Sequence, residues 1–381
     1  MDGSACVDVV VVGGGIVGAA CAYYLCTAGL DVCLVERDFP ASGASRSCDG
    51  LLLLCDKAPG PELALAQASL AAWAALAEEL DCEYVQRGSI VVVENAESLE
   101  GNRRKAAALA AADVRCEELD NAGLRAVEPN LAPDLAGGFL YLDEAQVNPM
   151  RATVALLGAA RRQGLQLRCG AEVTALRRAA DGRVTGVVAG GAEIAAGAVV
   201  CAAGVWSEAV ARTVGQALPV RPRKGHVLVT ARAPGLIRRP LIEGSYAASV
   251  QSAAVGVQVA LVAELTLSGT MLLGSSREFV GYDRAVSPAV IQAIAARAVR
   301  FIPGLAWVSV IRSYTGLRPW SPDHLPLIGP VEGLPGFYLA TGHEGAGIGL
   351  APITGQIVTD WVTEGVVSPV AAAVRPARFQ V

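Results

Sequence analysis

The pattern of apolar and polar positions at the start of the chain predicts a strand, a helix and a second strand. Residues 7–12 form an apolar run rich in β-branched side chains, which is typical of a buried parallel strand. A glycine cluster follows, and residues 16–28 are then small or apolar without proline until Gly29, which predicts a helix packed closely on a sheet. Residues 32–36 repeat the strand pattern. This order predicts a βαβ unit with a right-handed crossover.

Periodicity predicts further elements along the rest of the chain. Helices are predicted at residues 61–80, 97–111, 149–163, 287–300 and 346–361. Strands are predicted at residues 84–94, 165–168, 172–177, 183–189, 198–202 and 337–340, with an Asp181-Gly182 hairpin turn, and strands are expected to dominate residues 220–276. Glycine-rich strand-to-helix junctions therefore stand at the start, middle and end. The predicted fold is α/β (α+β overall), with a discontinuous Rossmann-like domain at residues 1–82, 146–219 and 316–381 and a β-rich domain at residues 83–145 and 220–315.

Composition excludes several classes of protein. Because 53% of the 381 residues are apolar, the chain can bury one large core or two moderate ones, which excludes disorder of the whole. The net charge of -5 comes without any basic block, so a nucleic acid is not expected as a partner. The ten cysteines include no Cys-x-x-Cys pair, and the chain has only three histidines. No metal site is therefore expected within this polypeptide.

The hydropathy of the chain bears on its location. No uncharged apolar run is long enough to cross a membrane, and no signal-peptide pattern precedes the first strand. The most apolar stretch, residues 247–263, contains Gln251 and Gln258 and is predicted to be strand-rich core, with contact to a membrane surface as the alternative. The expectation is a cytoplasmic protein, with peripheral contact at the inner face of the membrane left open.

The glycines after the first strand carry the clearest chemical signal. Gly13, Gly15 and Gly18 form a Gly-x-Gly-x-x-Gly pattern that includes Ile16 and Val17, directly after a strand and at the start of a helix. The first glycine permits a tight turn, the second a close approach to a pyrophosphate, and the third close packing of helix on strand. The sequence therefore predicts a dinucleotide site at a helix N-terminus, rather than a glycine-rich turn without a ligand.

Residues beyond this turn extend the predicted site. Glu36 ends the second strand, where its carboxylate can accept the ribose hydroxyls of an adenosine. Arg37 and the polar loop at residues 41–46, with Ser45 and Arg46, are placed to cover the cofactor. These residues alone leave NAD and FAD undecided.

A second glycine-rich helix start favours a flavin over a nicotinamide. The segment is Gly342-His-Glu-Gly-Ala-Gly-Ile-Gly349, which precedes the last predicted long helix. One dinucleotide needs one pyrophosphate site, whereas a flavin also needs partial positive charge near N1 and the C2 carbonyl, where charge accumulates on reduction. A second helix N-terminus supplies such charge. An NAD-dependent dehydrogenase is thereby disfavoured.

These motifs in order resemble the FAD-dependent amine and amino-acid oxidoreductases of the D-amino-acid oxidase, glycine oxidase and sarcosine oxidase group. The resemblance covers essentially the whole chain. Besides the two glycine-rich segments and Glu36, it rests on residues 201–207 (Cys-Ala-Ala-Gly-Val-Trp-Ser), 273–278 (Leu-Gly-Ser-Ser-Arg-Glu) and 315–329 (Thr-Gly-Leu-Arg-Pro-Trp-Ser-Pro-Asp-His-Leu-Pro-Leu-Ile-Gly). Residues 56–63 and 274–279 look most like the bacterial D-hydroxyproline dehydrogenase and opine oxidase β-subunit branch, with hydrogen cyanide synthase flavin subunits nearby.

The resemblance implies FAD in the Rossmann-like domain and the substrate against the β-rich domain. The residues it places at the cofactor, beyond those named above, are Val173, Ala203, Gly204, Trp206, Arg318, Gly342, His343, Glu344, Gly345, Ala346, Gly347, Ile348 and Gly349. The sarcosine oxidase branch attaches FAD through a Cys shortly before the motif that contains Arg318. Here no Cys lies after Cys201. Non-covalent FAD is therefore expected.

The resemblance also implies candidate substrate residues. The family's Gly-x-Arg-Pro motif corresponds to Gly316-Leu-Arg-Pro319, and its Arg, here Arg318, is expected to hold the substrate carboxylate, with a buried ion pair as the alternative. Tyr246 is a candidate hydroxyl partner or a core residue. His343 is a candidate catalytic residue whose alternative role is structural.

Two polar segments nearby have structural interpretations, and no motif suggests hydrolysis. Asp323 and His324 are expected to form a turn, and Arg277 with Glu278 to form an interdomain ion pair. The chain has no Gly-x-Ser-x-Gly nucleophile elbow with partners. Oxidation of an amine by hydride transfer needs no protein nucleophile.

The expected activity is oxidation of the C–N bond of a small amino or cyclic imino acid, proline- or hydroxyproline-like, to an imine by hydride transfer to flavin N5. The electron acceptor is left open among a quinone, a dye-like acceptor, an iron–sulfur subunit and oxygen. The alternative is a flavin subunit of a heteromeric opine oxidase-like or hydrogen cyanide synthase-like complex that is inactive without iron–sulfur partners. Assembly with copies of itself or with other subunits is left open.

Overall fold

The structure is a computed structural model that describes residues 6–251, 256–365 and 369–380. Its strands β1 to β19 are, in chain order, Val7–Val12, Val32–Val35, Leu51–Leu52, Val85–Gln86, Ser89–Val93, Cys116–Asp120, Gly137–Tyr141, Ala145–Gln146, Gln166–Arg168, Val173–Arg178, Val184–Ala189, Ala192–Cys201, Arg221–Thr230, Leu241–Glu243, Gln258–Leu265, Met271–Arg277, Val310–Trp320, Leu327–Pro330 and Phe337–Thr341. Its helices α1 to α10 are Ile16–Thr27, Pro61–Leu76, Ala96–Ala110, Asn121–Val127, Pro149–Arg162, Ser207–Arg212, Tyr246–Gln251, Pro288–Phe301, Gly347–Thr363 and Pro369–Ala372. The predicted α/β (α+β overall) class is confirmed.

The first sheet confirms the predicted βαβ unit. β1 pairs in parallel with β2 and with the second half of β12, which in turn pairs in parallel with β19. The first half of β12 instead forms an antiparallel meander with β11 and β10, whose hairpin turn contains Gly182 with a φ of +89°. Because β1, β12 and β19 are parallel, their carboxyl ends meet at one edge of the sheet. The glycine-rich segments follow these three ends.

Close packing of helices on this sheet explains the small residues in the sequence. In α9, a Cβ at Gly355 would lie 2.7 Å from the carbonyl oxygen of Ala20 in α1. Any larger residue there would therefore push the two helices apart. Trp73 of α2 is fully buried against the same helix and donates its indole N–H to the carbonyl of Ile348 at 3.0 Å.

The second sheet has the order β17-β13-β16-β15-β14-β5-β7-β6, and a short third sheet has the order β3-β8-β4. Helix α8 covers one face of the second sheet, where Ile294 and Phe301 pack against Leu261 and Met271 in a separate hydrophobic core. The long strands β13 and β17 pair along their whole lengths, and β17 ends at Trp320. These two strands bring residues of the second sheet to the carboxyl edge of the first.

Several predicted elements differ from the observed ones. The strand predicted at residues 84–94 is two strands separated at Gly88, which has a φ of +72°. Part of the apolar stretch 247–263 lies in helix α7, while residues 252–255 are outside the described residues and β15 begins at Gln258. The antiparallel pair β6 and β7 and helix α4 were not predicted, because the edge strand β6, Cys-Glu-Glu-Leu-Asp, lacks the apolar alternation of a half-buried strand.

Two further expectations concern the whole chain. Among the residues that the structure describes, no helix is long and apolar enough to cross a membrane. The division into two domains at the residue boundaries given above stays a prediction.

Candidate active site

The first glycine turn has the geometry that its spacing predicts. Gly13 has a φ of +110°, and a Cβ there would lie 2.6 Å from the carbonyl oxygen of Ala202. A Cβ at Gly18 would collide with the carbonyl oxygen of Gly13, so only glycine lets α1 begin so close to β1. Gly15 is the N-cap residue of helix α1 and has no side chain, while the hydroxyl oxygen of Ser45 accepts the N–H of Ile16 at 3.0 Å. Among the described residues, no side chain accepts the N–H groups of Val17 and Gly18, so this N-terminus still offers donors to an anion.

Glu36 is held in place at the end of β2 by backbone donors. Its Oε2 accepts the N–H of Gly14 at 2.6 Å, and its Oε1 accepts the N–H of Asp38 at 2.8 Å. The residue is 9% exposed and lines a cavity that is described below. A carboxylate has acceptor sites for more bonds than these two, so this one can also accept ribose hydroxyls.

The second glycine turn follows β19. Gly342 has a φ of +79°, and helix α9 begins at Gly347 with Ala346 as an N-cap residue that has no side-chain cap. Gly345, Ala346, Gly347, Ile348 and Gly349 line the same cavity as the first turn. Two helix N-termini therefore border one cavity, as predicted for a flavin dinucleotide.

This cavity has a volume of about 510 Å³, within the range of small-molecule sites. The predicted site residues that line it are Gly13, Gly15, Ile16, Val17, Glu36, Arg37, Ser45, Val173, Ala203, Gly204, Trp206, Tyr246, Arg318, His343, Glu344, Gly345, Ala346, Gly347, Ile348 and Gly349. Two helix N-termini, a buried carboxylate and glycines with no side chain over the cavity fit FAD by size and by charge.

Three predicted cofactor residues do not line the cavity. Gly18 serves the packing of α1 on β1, and Gly342 turns the chain against Leu327, whose Cδ1 would lie 2.8 Å from a Cβ at that position. Arg46 is exposed, with its guanidinium carbon 5.4 Å from the centre of the Phe39 ring. Arg37, in contrast, lines the cavity, and its guanidinium carbon lies 4.2 Å from the centre of the Trp206 ring.

Arg318 lies on β17 with its guanidinium at the cavity. Its Nη1 donates to the carbonyl of Ser276 at 2.9 Å, and within the described residues it forms no salt bridge. Burial, and next the charge of Arg277, lower the pKa of Arg318 from its usual value. No carboxylate of the described residues is in direct contact with this cation, which speaks against the alternative of a structural ion pair.

Gly225 makes room for this arginine. It lies on the neighbouring strand β13, opposite Gly316, and also lines the cavity. A Cβ at Gly225 would stand 2.6 Å from Nη2 and 2.7 Å from Cζ of Arg318. The position of the guanidinium therefore depends on a residue that sequence reasoning did not identify.

Tyr246, at the start of α7, lines the cavity and carries a second arginine on its ring. The guanidinium carbon of Arg277 is 4.6 Å from the ring centre, and Arg277 also donates to the hydroxyls of Ser249 at 2.8 Å and Ser275 at 3.1 Å. Burial raises the pKa of Tyr246, and Arg277 opposes this effect. The phenol is therefore neutral at physiological pH.

The expected ion pair of Arg277 with Glu278 is wrong. Glu278 instead binds Lys224, whose Nζ is 3.1 Å from its carboxylate and 2.8 Å from that of Asp283. Arg277 and Glu278 are adjacent in sequence, and side chains at adjacent positions along an extended chain point to opposite sides.

His343 and Glu344 form contacts that favour structural roles. The Nε2 of His343 is 2.9 Å from Oγ1 of Thr354, whose hydroxyl donates to the carbonyl of Leu350, so the ring must be the donor. Burial lowers the pKa of His343 to about 3. The catalytic role of His343 stays a prediction, and this neutral, occupied ring supports its structural alternative.

Glu344 joins the second glycine turn to the second sheet. Its Oε1 is 2.6 Å from Nη1 of Arg223, and its Oε2 is 3.1 Å from Nδ1 of His324. Burial alone would raise the pKa of Glu344, but the His324 bond and the charges of Arg223 and Arg277 lower it. His324 lies beside the turn at Asp323 that the sequence predicts, with a φ of +60°.

Sequence reasoning missed several polar residues of the cavity. Lys57 is buried and binds Asp56 at 3.1 Å and Glu62 at 3.3 Å. Burial would lower the pKa of Lys57, but these two carboxylates raise it above its usual value. Cys48 and Asp49 also line the cavity. Their only sequence signal is their position between the polar loop and the short apolar run at residues 51–54.

Comparison with known proteins agrees with this geometry. The family model described as DAO, FAD dependent oxidoreductase, matches residues 8–361. The chain is 29% identical to hydrogen cyanide synthase subunit HcnC of Pseudomonas protegens, over 94% of this chain and 92% of that protein. It is 31% identical to glycine oxidase of Geobacillus kaustophilus, over 93% and 92%. Its fold is similar to that of L-proline dehydrogenase from P. horikoshii, with a TM-score of 0.89, 23% identity and 98% of each chain covered.

Proposed function

We propose, because this chain belongs to the DAO family of FAD dependent oxidoreductases, that it oxidises the C–N bond of a small amino or cyclic imino acid to an imine. FAD is the cofactor in the family's description, and the glycine oxidase relative supports CH–NH donors as the substrate class. A proline- or hydroxyproline-like ring is our first choice of substrate within that class. It rests on the resemblance of residues 56–63 and 274–279 to the D-hydroxyproline dehydrogenase and opine oxidase branch.

One observation carries the amino-acid part of the proposal. Arg318 presents a half-buried guanidinium to the cavity, and its one hydrogen bond among the described residues goes to a backbone carbonyl. A guanidinium can bind a carboxylate through two parallel charge-assisted bonds, and burial makes these bonds stronger than they are in water. A substrate carboxylate would therefore supply the counter-ion that this arginine lacks.

The chain's own residues bind and orient the substrate in this mechanism. Arg318 holds the carboxylate and thereby limits where the Cα–H bond can lie. Oxidation removes a hydride from Cα of the neutral amine, which leaves a protonated C=N bond; this bond passes its proton to water as the imine forms, and water hydrolyses the imine or the imine cyclises. FAD, when bound, supplies the acceptor for the hydride. This transfer needs no protein nucleophile. Lys57 is paired with two carboxylates and His343 is neutral, and neither takes part in the proposed step.

The test is a substrate panel assayed with a dye acceptor and with oxygen. It contains D- and L-proline, the hydroxyproline epimers, glycine, sarcosine, an opine, and pyrrolidine as the amine without a carboxylate. Arg318→Leu should lower kcat/KM for the amino acids by roughly 2 to 5 kcal/mol while FAD stays bound. Arg312→Leu is the matched control, because Arg312 lies on the same strand but is exposed. Equal activity on pyrrolidine and proline would refute binding of the substrate carboxylate by Arg318.

A second candidate function is a flavin subunit that needs partners. It is supported by the 29% identity to a subunit of hydrogen cyanide synthase. Near the start of edge strand β17, Trp307 is 92% exposed and Ile311 is 62% exposed, which offers an apolar surface to another chain. Turnover of any panel substrate by the isolated chain with a dye would exclude dependence on partners. Quinone, iron–sulfur subunit and oxygen are the candidate natural acceptors.

A further inference from the structure

Asp49 lines the same cavity as Arg318, and the surrounding chain holds it in place. Its Oδ1 accepts the N–H of Leu51 at 3.4 Å. The next residue, Gly50, donates its N–H to Oε2 of Glu264 at 2.7 Å, and a Cβ there would collide with the backbone of Val147. The half-buried aspartate thus lies in a segment that two other parts of the chain contact closely.

Asp49 differs from the other buried carboxylates of the cavity in its partners. Glu36 is bound by backbone N–H groups, Asp56 by Lys57, and Glu344 by Arg223 and His324. Within the described ranges, Asp49 has no salt bridge, and its one hydrogen bond is the long one to a backbone N–H. The carboxylate therefore keeps acceptor capacity that no described side chain uses.

The charges around Asp49 affect which ligand groups it can bind. Burial raises the pKa of Asp49, and Arg318 opposes this effect through its positive charge. The neighbouring Glu264 is more deeply buried, and burial together with the charge of Asp49 raises its pKa to about 8. The charge of Asp49 thus disfavours a second negative charge on Glu264, while the nearby guanidinium of Arg318 favours a negative charge on Asp49.

We propose that Asp49 accepts the N–H groups of the substrate's amino nitrogen, so that Arg318 and Asp49 together select a ligand carrying both a carboxylate and an amine. This inference rests on the proposed function, in which Arg318 binds the carboxylate. A site with two opposite charges disfavours a ligand that satisfies only one of them, because the other charge then stays desolvated and unpaired. Asp49 is thus a residue that determines specificity for amino acids over plain carboxylic acids.

The experiment measures binding to the FAD-loaded protein through perturbation of the flavin absorbance, without turnover. Each amino acid is paired with an analogue in which carbon replaces nitrogen: proline with cyclopentanecarboxylate, sarcosine with butyrate, and glycine with propionate. Rapid-mixing anaerobic measurements separate binding from any reduction that follows. Wild type should bind at least one amino acid roughly 10-fold or more tightly than its analogue.

Asp49→Asn should abolish that preference by weakening the amino acid roughly 10-fold and the analogue little, since the variant keeps the shape but loses the charge. Asp56→Asn is the matched control, because Asp56 lines the same cavity but is neutralised by Lys57. This control should not reduce the preference selectively. Asp49→Ser is a second variant with the same expected loss if Asp49→Asn retains too little FAD.

Two results would overturn the inference: a wild type that binds every analogue as tightly as its amino acid, or an Asp49→Asn variant that keeps the preference. The first result needs no variant and is decisive even if the variants fold poorly. Failure of the proposed function is a different outcome. Selective binding through Asp49 without flavin reduction by any substrate would refute the oxidation and leave the role of Asp49 intact.

Discussion

Replacing Gly225 with alanine should displace the guanidinium of Arg318 while the protein stays folded. The added Cβ would stand 2.6 Å from Nη2 and 2.7 Å from Cζ of Arg318, whereas ordinary contact requires about 3.5 Å. The φ of Gly225 is outside the left-handed region, so alanine can adopt it. The atoms in conflict belong to the far end of a flexible side chain, which can move without disturbing β13 or β17.

The size of the effect follows from the required displacement. The guanidinium must retreat by about 1 Å, and misplacement of a binding group by that distance can reduce a rate about 100-fold. We therefore expect kcat/KM for amino acids to fall by about 2.7 kcal/mol in transition-state free energy, toward the value for Arg318→Leu. The free energy of unfolding should change by less than about 1 kcal/mol, because no buried apolar group is removed.

The assay compares kcat/KM, bound FAD and Tm in wild type and variant. Gly101→Ala is the control, because its Cβ would meet no atom within 4 Å and it lies on the surface helix α3. The variant should keep its FAD and its Tm and lose activity on amino acids, but not on an amine without a carboxylate. Wild-type kcat/KM in Gly225→Ala would refute the assigned position of Arg318, and loss of FAD would show that the glycine serves the fold.

Three further predictions concern the cofactor and the carboxyl pair. Gly15→Val fills the space at the first turn, and Glu36→Ala removes the ribose acceptor. Each variant should lower the flavin content of the purified protein. Full flavin occupancy in Gly15→Val would contradict the assigned pyrophosphate site. FAD should pass to the supernatant on acid precipitation. Cys48 lines the cavity, but burial raises the pKa of its thiol and keeps it unreactive toward the flavin. Yellow colour in the pellet would indicate a covalent bond. Burial, and next the charge of Asp49, raise the pKa of Glu264 from 4.5 to about 8. The contribution of Glu264 to the free energy of unfolding is therefore full below pH 4.5. It is lost as the pH rises to about 8, which lowers the free energy of unfolding by at most about 5 kcal/mol. Glu264→Gln should flatten this decline in urea unfolding, and an unchanged decline would contradict the raised pKa.

The cofactor side of the cavity could be predicted from sequence because its geometry is local. Gly13, Gly15 and Gly18 act within one strand–turn–helix segment, and Glu36 follows at the end of the next strand. Spacing along the chain therefore determines spacing in the structure for these residues. The second glycine turn is equally local, and its partnership with the first follows from the parallel pairing of β1, β12 and β19.

The substrate side depends on contacts between distant segments, which no local pattern contains. Gly225 meets Arg318 only through the pairing of β13 with β17. Asp49 is positioned through its neighbour Gly50, which contacts Glu264 of β15 and Val147, the residue after β8. The error at Arg277 and Glu278 was avoidable, since neighbours on an extended chain point to opposite sides.

The most direct test of amino-acid oxidation with Arg318 as the carboxylate-binding residue is anaerobic mixing of the FAD-loaded protein with a single amino acid. The reduction of the flavin is followed by its visible absorbance. At least one amino or imino acid of the panel should bleach the flavin in wild type, and pyrrolidine should bleach it far more slowly. In Arg318→Leu, the rates with the amino acid and with pyrrolidine should become similar. A flavin that no amino acid reduces, or that proline and pyrrolidine reduce equally in wild type, would contradict oxidation of an amino acid bound by Arg318.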